Sequence, residues 1–333
     1  MNHQDFFSLV AQGRVPSVLF FEGPEEYLKQ SALRELRKAL LPEGLEELNE
    51  SRLDAPDTNE LIAAAETLPF MADRRLILLR DHPAVVGRGE ADERLLSYLP
   101  SAPPTAVILF YCVLPVKQQK IKNAVKKLGG LVEFTALNDR ELTTFVTKAF
   151  HDLGRECDAR TADSLIFTAG KDLNLLLREA AKIASLHPDD PHVHPADVQA
   201  LATPSTETVV FKIVDAVLAG QDGPAFAQLR SLLQRGERRT MILGALLRQF
   251  RLMQQVKIMQ FEKKSQPAIC AALGVSSYAA QQYIRQAASY TGRQVKEAVS
   301  LCLNTDLEVK SGLLREEGAL ESVMLKLLLL RKH

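Results

Sequence analysis

The sequence predicts an α/β domain built on a parallel sheet, followed by helix alone to the end of the chain. Three observations carry this. Short apolar runs, Val18–Phe21, Leu76–Leu79 and Val107–Cys112, alternate with helical patterns over the first ~140 residues, as βα units do. The runs are continuous rather than alternating, which fits strands buried on both faces of a parallel sheet. From about Asp139 the strand signal stops, and apolar residues recur at helical spacing.

In chain order, Val18-Leu19-Phe20-Phe21 is the first strand, and Ser31–Leu41 the helix after it. Thr58–Thr67 is the next helix. Thr58 reads as its N-cap without a capping box, and Glu60 supplies a first-turn acid that suits the helix dipole. Strand Leu76–Leu79, helix Ala91–Tyr98, strand Val107–Cys112 and helix Lys117–Leu128 follow, and Leu131–Phe134 closes the sheet. Asp139 is expected to cap Arg140–Leu153. Thr161–Ala169 and Leu173–His187 come next, with Gly154 and Gly170 as helix-ending glycines. A polar stretch, His187–Pro195, leads to a short helix, Ala196–Ala202, and Thr203-Pro204-Ser205-Thr206 reads as a linker. Beyond Val209, Phe211, Val214, Val217 and Leu218 form one apolar stripe, and Leu229, Leu232 and Leu233 another. Helical patterns over Met241–Phe261 and Tyr278–Tyr290 precede a last helix through Leu320, Val323, Leu327 and Leu330.

A chain of 333 residues exceeds one ordinary core, so two or three domains are expected. Its 46% hydrophobic and 25% charged content is that of a folded globular protein. Forty-one basic residues balance 41 acidic ones, a formal net charge of zero that tells against tight independent DNA binding. Cys112, Cys157, Cys270 and Cys302 lie far apart with no CxxC pair. They fit reduced thiols in the cytoplasm, not a disulfide framework or a zinc site. No basic-then-apolar leader opens the sequence, and Val323–Leu330 is too short to span a bilayer and contains Lys326. The expected location is therefore cytoplasmic, with no membrane partner.

The turn after the first strand is where a nucleotide-binding protein carries its phosphate cradle, G-x-x-x-x-G-K-[ST]. Here it reads Gly23-Pro24-Glu25-Glu26-Tyr27-Leu28-Lys29-Gln30. Leu28 stands in place of the second glycine and Gln30 in place of the hydroxyl; only Lys29 keeps register. Glu25 and Glu26 put negative charge where phosphates would sit. Leu76–Leu79 runs into Arg80-Asp81 without the acid pair that would hold Mg²⁺. Val107–Tyr111 ends without a polar residue to sense a γ-phosphate. The reading is an ATPase-like frame that does not bind ATP, with no catalytic, cofactor-binding or metal residue. His187, His192 and His194 read as a solvated loop, and Gly87-Arg88-Gly89 and Gly129-Gly130 as turns.

Two other readings stay open on the residues alone: a diverged P-loop ATPase, and a helical DNA-binding protein using Lys263-Lys264 or Arg248 with Arg251. Open too is the segment Glu66–Arg75, which gathers Leu68, Phe70 and Met71 around Pro69, with a charged cluster after them. Core residues under a crossover and an exposed apolar anchor fit this composition alike.

Taken together, several stretches resemble the delta subunit of the bacterial DNA polymerase III clamp loader. They are Phe20–Leu28, Leu68–Leu76, Gly170-Lys171-Asp172-Leu173 with Glu179 and Lys182, and Val210–Ala216. Leu246–Arg251, Leu273-Gly274-Val275, Tyr278 and Asp306–Gly312 continue the series. Their order and spacing carry the match, which runs through nearly the whole chain. The resemblance implies an AAA+-type (RecA-like) α/β domain over residues 1–139 that carries a clamp-binding element. It implies a small lid-like domain of three-helix type over 140–204, and an all-α collar over 205–333 for loader oligomerisation. It implies a non-catalytic subunit that binds the sliding clamp (beta) and opens one ring interface for ATP-driven neighbours to place on primed DNA. Leu68, Phe70 and Met71 map onto the clamp-binding element. Family members often carry a second aromatic at the Met71 position; Met keeps the apolar bulk and adds flexibility. The implied partners are the clamp, the delta-prime and gamma/tau subunits through the collar, and primed DNA, contacted weakly within the assembly. No catalytic activity of its own is implied, only membership of a holoenzyme that is a DNA-directed DNA polymerase, a nucleotidyltransferase.

Overall fold

All the expected strands form, and one more joins them. In the computed structural model, which describes residues 1–186 and 190–330, the strands are β1 (Val18–Glu22), β2 (Glu50–Leu53), β3 (Arg75–Arg80), β4 (Ala106–Tyr111) and β5 (Leu131–Glu133). They make one sheet in the order β2-β3-β4-β1-β5, with every pairing parallel. All six residues of β4 are buried, the reason its sequence is a continuous apolar run. The unforeseen strand is β2, at the sheet edge. Its sequence, Glu-Ser-Arg-Leu, lacks the apolar signal because only partial burial is asked of it.

The helices of this unit are α1 (His3–Ala11), α2 (Glu26–Leu40), α3 (Glu46–Asn49), α4 (Thr58–Glu66), α5 (Pro83–Val86), α6 (Glu93–Tyr98) and α7 (Gln119–Lys127). Of these, α1, α3 and α5 were not expected, and α2 begins at Glu26 rather than Ser31. One core lies between the sheet and α4, α6 and α7, joining Phe20, Ile108 and Phe110 to Leu61, Leu95, Ile121 and Val125. On the opposite face Phe21 meets Phe6 of α1 edge-on at 5.0 Å and Phe134 at 4.9 Å.

Two N-caps differ from expectation by one residue. Asp57, not Thr58, caps α4, and it forms a full capping box with Glu60. Asn138, not Asp139, caps the next helix, again with a capping box, to Glu141. In both places two cap-type residues are adjacent. The cap falls to the one three residues before the acid that returns its hydrogen bond.

Two compact units divide the chain, Met1–Ala136 and Leu137–His333. Among the described residues of the second, every named element is a helix, and one isolated parallel bridge joins Glu156 to His192. This unit begins with α8 (Asp139–Asp152), α9 (Ala159–Ala169), α10 (Leu173–Ala184) and α11 (Pro195–Leu201). It continues with α12 (Thr206–Ala219), α13 (Asp222–Gln234), α14 (Arg239–Phe261), α15 (Gln266–Leu273), α16 (Ser277–Ala288), α17 (Gly292–Lys310) and α18 (Glu316–Leu330), the last broken at Glu317–Gly318. His187, expected to end the helix begun at Leu173, lies outside the described residues, as does His333 at the end of the expected collar.

The expected division at residue 204 falls inside this second unit. Ser205 caps α12, and its own N–H donates to the Thr168 carbonyl after 2.8 Å. Phe167 of α9 stands edge-on to Phe211 of α12 at 5.4 Å. The long helix α14 anchors the larger core through Leu246, Phe250, Met253 and Val256. His192 and His194 are exposed and pair with Glu156 and Asp190 at 3.2 Å each. All four cysteines are free, and among the described residues no helix is long and apolar enough to cross a membrane.

Candidate functional site

In an open parallel sheet, ligands bind at the carboxyl ends of the strands, where successive connections leave in opposite directions. The order β2-β3-β4-β1-β5 puts that point between β1 and β4. The chain leaves β1 on the α2 side to reach β2 at the far edge, and leaves β4 on the α7 side to reach β5. Chemistry would be sought first in this crevice, and on its α2 side the protein's own charged groups are bonded to one another.

Lys29, the one residue in register with the phosphate-cradle motif, is 2% exposed. Its ammonium donates to the Cys112 carbonyl at 2.7 Å, pairs with Glu26 at 3.0 Å, and lies 5.5 Å from the centre of the Tyr111 ring. The Tyr111 hydroxyl in turn donates to Glu26 at 2.7 Å. Burial pushes the Glu26 carboxyl up, but the hydrogen bonds from Tyr111 and Lys29 outweigh it and hold the group below the usual carboxylate range. Burial pushes the Tyr111 hydroxyl well above its usual range, and the bond to Glu26 adds to that. The Cys112 thiol is pushed up to about 12, chiefly by burial and then by the charges of Asp81 and Glu22, so it is an inert neighbour.

The backbone of the same turn is also committed. Gly23 has φ +120°, and a Cβ there would lie 2.2 Å from the Phe134 carbonyl oxygen. That carbonyl accepts from the Glu25 N–H at 3.2 Å, and the Phe134 N–H donates to Glu22 at 2.8 Å. Asp81, after β3, accepts from the Val113 and Leu114 N–H groups at 2.7 and 2.8 Å. The acid nearest a metal-holding position is thus a turn-forming residue.

The loop between α4 and β3 has the opposite character. Leu68, Phe70 and Met71 are 76%, 53% and 78% exposed, so the core reading of this segment does not hold. Their backbone is nonetheless braced. Asn49, fully buried, accepts from the Phe70 N–H at 2.8 Å and donates to the Phe70 carbonyl at 2.9 Å. Arg75 reaches back to the Thr67 carbonyl at 3.3 Å and across to Ser51 at 2.7 Å. Arg74 donates to the Val15 carbonyl at 2.6 Å. Met71 is held at φ +49°, a left-handed conformation that a non-glycine residue adopts at some cost and that recurs at binding sites. The result is an apolar surface on a fixed frame.

The structure therefore brings the three sequence-named residues together on one loop. Sequence reasoning missed Asn49, which stands 21 positions before Phe70 and carries no local signal. Leu48, 56% exposed, sits beside it in the chain and was missed too.

Two family models match the chain: DNA polymerase III, delta subunit, over residues 19–135, and DNA polymerase III delta subunit, C-terminal domain, over residues 207–327. The chain belongs to the DNA polymerase III delta subunit family. A Bacillus subtilis (strain 168) DNA polymerase III subunit delta is 24% identical over 97% of this chain and 96% of its own length. The solved Bacillus subtilis DNA clamp loader delta protein shares the fold at a TM-score of 0.55, 24% identical, covering 98% of this chain and 99% of its own.

Proposed function

We propose that this chain is the clamp-binding, non-catalytic subunit of a DNA polymerase III clamp loader, working in the cytoplasm. The carrying observation is the α4–β3 loop: three large apolar side chains held in water by a buried asparagine and two arginines. A side chain kept exposed on a rigid backbone loses little entropy when a partner buries it. Leu68, Phe70 and Met71 enter an apolar cleft on the sliding clamp.

A ring that is closed at rest opens when a partner binds its sprung shape better than its closed one. The α4–β3 loop supplies that difference in affinity. ATP acts on neighbouring subunits and sets when the loop is free to engage. The crevice at Lys29 supports a subunit that takes no nucleotide, because the groups that would meet phosphates are already bonded to one another. The α/β domain (1–139) carries the clamp contact, the small helical domain (140–204) follows it, and the collar (205–333) joins delta-prime and gamma/tau. Primed DNA is touched weakly, inside the assembled ring.

The test is capture of a purified sliding clamp by the pure chain without nucleotide. Retention is expected. A clamp that passes through unretained contradicts the reading. For the collar, truncation from Ser205 onward is expected to leave clamp capture intact and abolish entry into the multi-subunit loader on gel filtration.

A further inference from the structure

A second concave surface of the α/β unit is unused by the clamp reading. It is a cavity of about 490 Å³ between α2 and the carboxyl ends of β2 and β3, and four of its lining residues are arginines: Arg34, Arg37, Arg52 and Arg80. In a chain whose formal charges cancel, their pairing is unbalanced. Arg37 and Arg52 share a single acid, Glu50, at 2.7 Å each. Arg34 donates to Ser31 at 2.7 Å and lies over the Tyr27 ring. Arg80 lies 5.9 Å from the centre of the Tyr111 ring. Among the described residues neither Arg34 nor Arg80 pairs with a carboxylate.

Two acids also line the cavity, Glu26 and Asp54. Glu26 is spent on Lys29 and Tyr111; Asp54 is exposed. Guanidinium forks of this kind match carboxylates and phosphates two bonds at a time. The rest of the lining selects between those oxyanions. Leu33, Leu53 and Leu78 contribute apolar surface beside the arginines. A nucleic-acid strand asks for a continuous basic track with rings open for stacking; here Asp54 interrupts the basic surface, and the lining ring, Tyr111, is buried with Arg80 over its face. A peptide brings carboxylate and aliphatic groups side by side.

We propose that this arginine-lined cavity is a docking site for an acidic, leucine-like segment of a neighbouring protein subunit, which sets two carboxylates against Arg34 and Arg80 and an aliphatic side chain against Leu33 and Leu78. It rests on the loader reading only for the identity of the neighbour. The site gives the α/β unit a subunit contact of its own, separate from the clamp loop and from the collar.

The test uses the full chain and an Arg34→Ala/Arg80→Ala variant, both positions being exposed enough to leave folding intact. The probes are a synthetic Glu-Leu-Glu-Glu-Leu peptide, a twelve-residue oligo-dT and inorganic pyrophosphate, each titrated at low and moderate salt. The wild type is expected to bind the peptide, and the variant to bind it at least tenfold more weakly, while oligo-dT distinguishes them by less than twofold. Equal or absent peptide binding overturns the inference, as does tighter binding of oligo-dT or pyrophosphate with the same loss in the variant. In parallel, failure of the wild-type chain to enter the loader contradicts the proposed function alone. Entry of wild type and variant with equal affinity contradicts the docking site alone.

Discussion

The β1–α2 turn and the α4–β3 loop are both short connections of one α/β unit, yet they handle their side chains in opposite ways. The first leads into a helix that turns charge inward: Lys29, in the first turn of α2, is buried against Glu26, Tyr111 and the Cys112 carbonyl. The second turns apolar groups outward on a backbone fixed by Asn49 and two arginines. Each arrangement is costly unless something compensates it. The buried charge is compensated inside the chain, so that site is complete as it stands. The exposed apolar cluster has no compensation within the α/β unit, so the loop is the half of the pair that calls for a partner. In this unit the lysine of the phosphate-cradle motif is spent on the fold, while the α4–β3 loop leaves three apolar side chains in water.

That contrast can be broken from the structural side first. Gly23→Ala carries the largest expected cost in stability, on the order of 3 kcal/mol or more, because its Cβ would sit 2.2 Å from the Phe134 oxygen at a φ only glycine tolerates well. Urea denaturation reads it. A variant as stable as the wild type would mean that the turn does not lean on Phe134, the residue that follows β5.

Next comes Lys29→Met. It leaves Glu26 and the Cys112 carbonyl without their cation, an expected loss of about 2–4 kcal/mol, the lower end being favoured because Glu26 keeps some access to water. Adding Glu26→Gln is expected to recover part of that loss. Strictly additive losses in this double-mutant cycle would show that the two residues do not form a unit. Asn49→Ala sharpens the other half of the contrast. It removes three hydrogen bonds, to Phe70 twice and to Leu45, for about 1–3 kcal/mol of stability. Clamp affinity is expected to fall roughly tenfold as the loop loses its frame.

The smallest effect is one of pH. The folded state holds the Glu26 carboxyl below its ordinary value of 4.5, so its contribution is complete above that pH and fades as the pH falls through the lowered value. The stability gap between wild type and Glu26→Gln is expected to be constant near neutrality and to close only in acid. A gap that instead widens on acidification would reverse the sign of the shift.

The fold was largely legible in the sequence where burial is complete. β1, β3 and β4 announce themselves because both their faces are covered, leaving no room for polar alternation. β2 did not, since an edge strand tolerates Glu50 and Arg52, with Glu50 pairing both Arg52 and Arg37. Caps were misplaced by one residue at Asp57-Thr58 and Asn138-Asp139, where composition offers two candidates and only the reciprocal bond decides. At the candidate site, Leu68, Phe70 and Met71 were legible as a group. Their exposure was not, because apolar residues around a proline read alike in a core and on a surface. What holds them outward, Asn49, belongs to a different element, and only the folded chain brings it to Phe70.

The most direct measurement is the Phe70→Ala/Met71→Ala variant, followed at once by thermal melting and by surface plasmon resonance against a sliding clamp. Half to three-quarters of each side chain is in water in the free protein, so burying both in a partner contributes roughly 2–4 kcal/mol, about 30- to 1,000-fold in affinity. The expected result is a melting temperature close to the wild type's with clamp binding weakened by that factor. A large drop in melting temperature, or clamp binding at full strength, would contradict a loop built for a partner rather than for the fold.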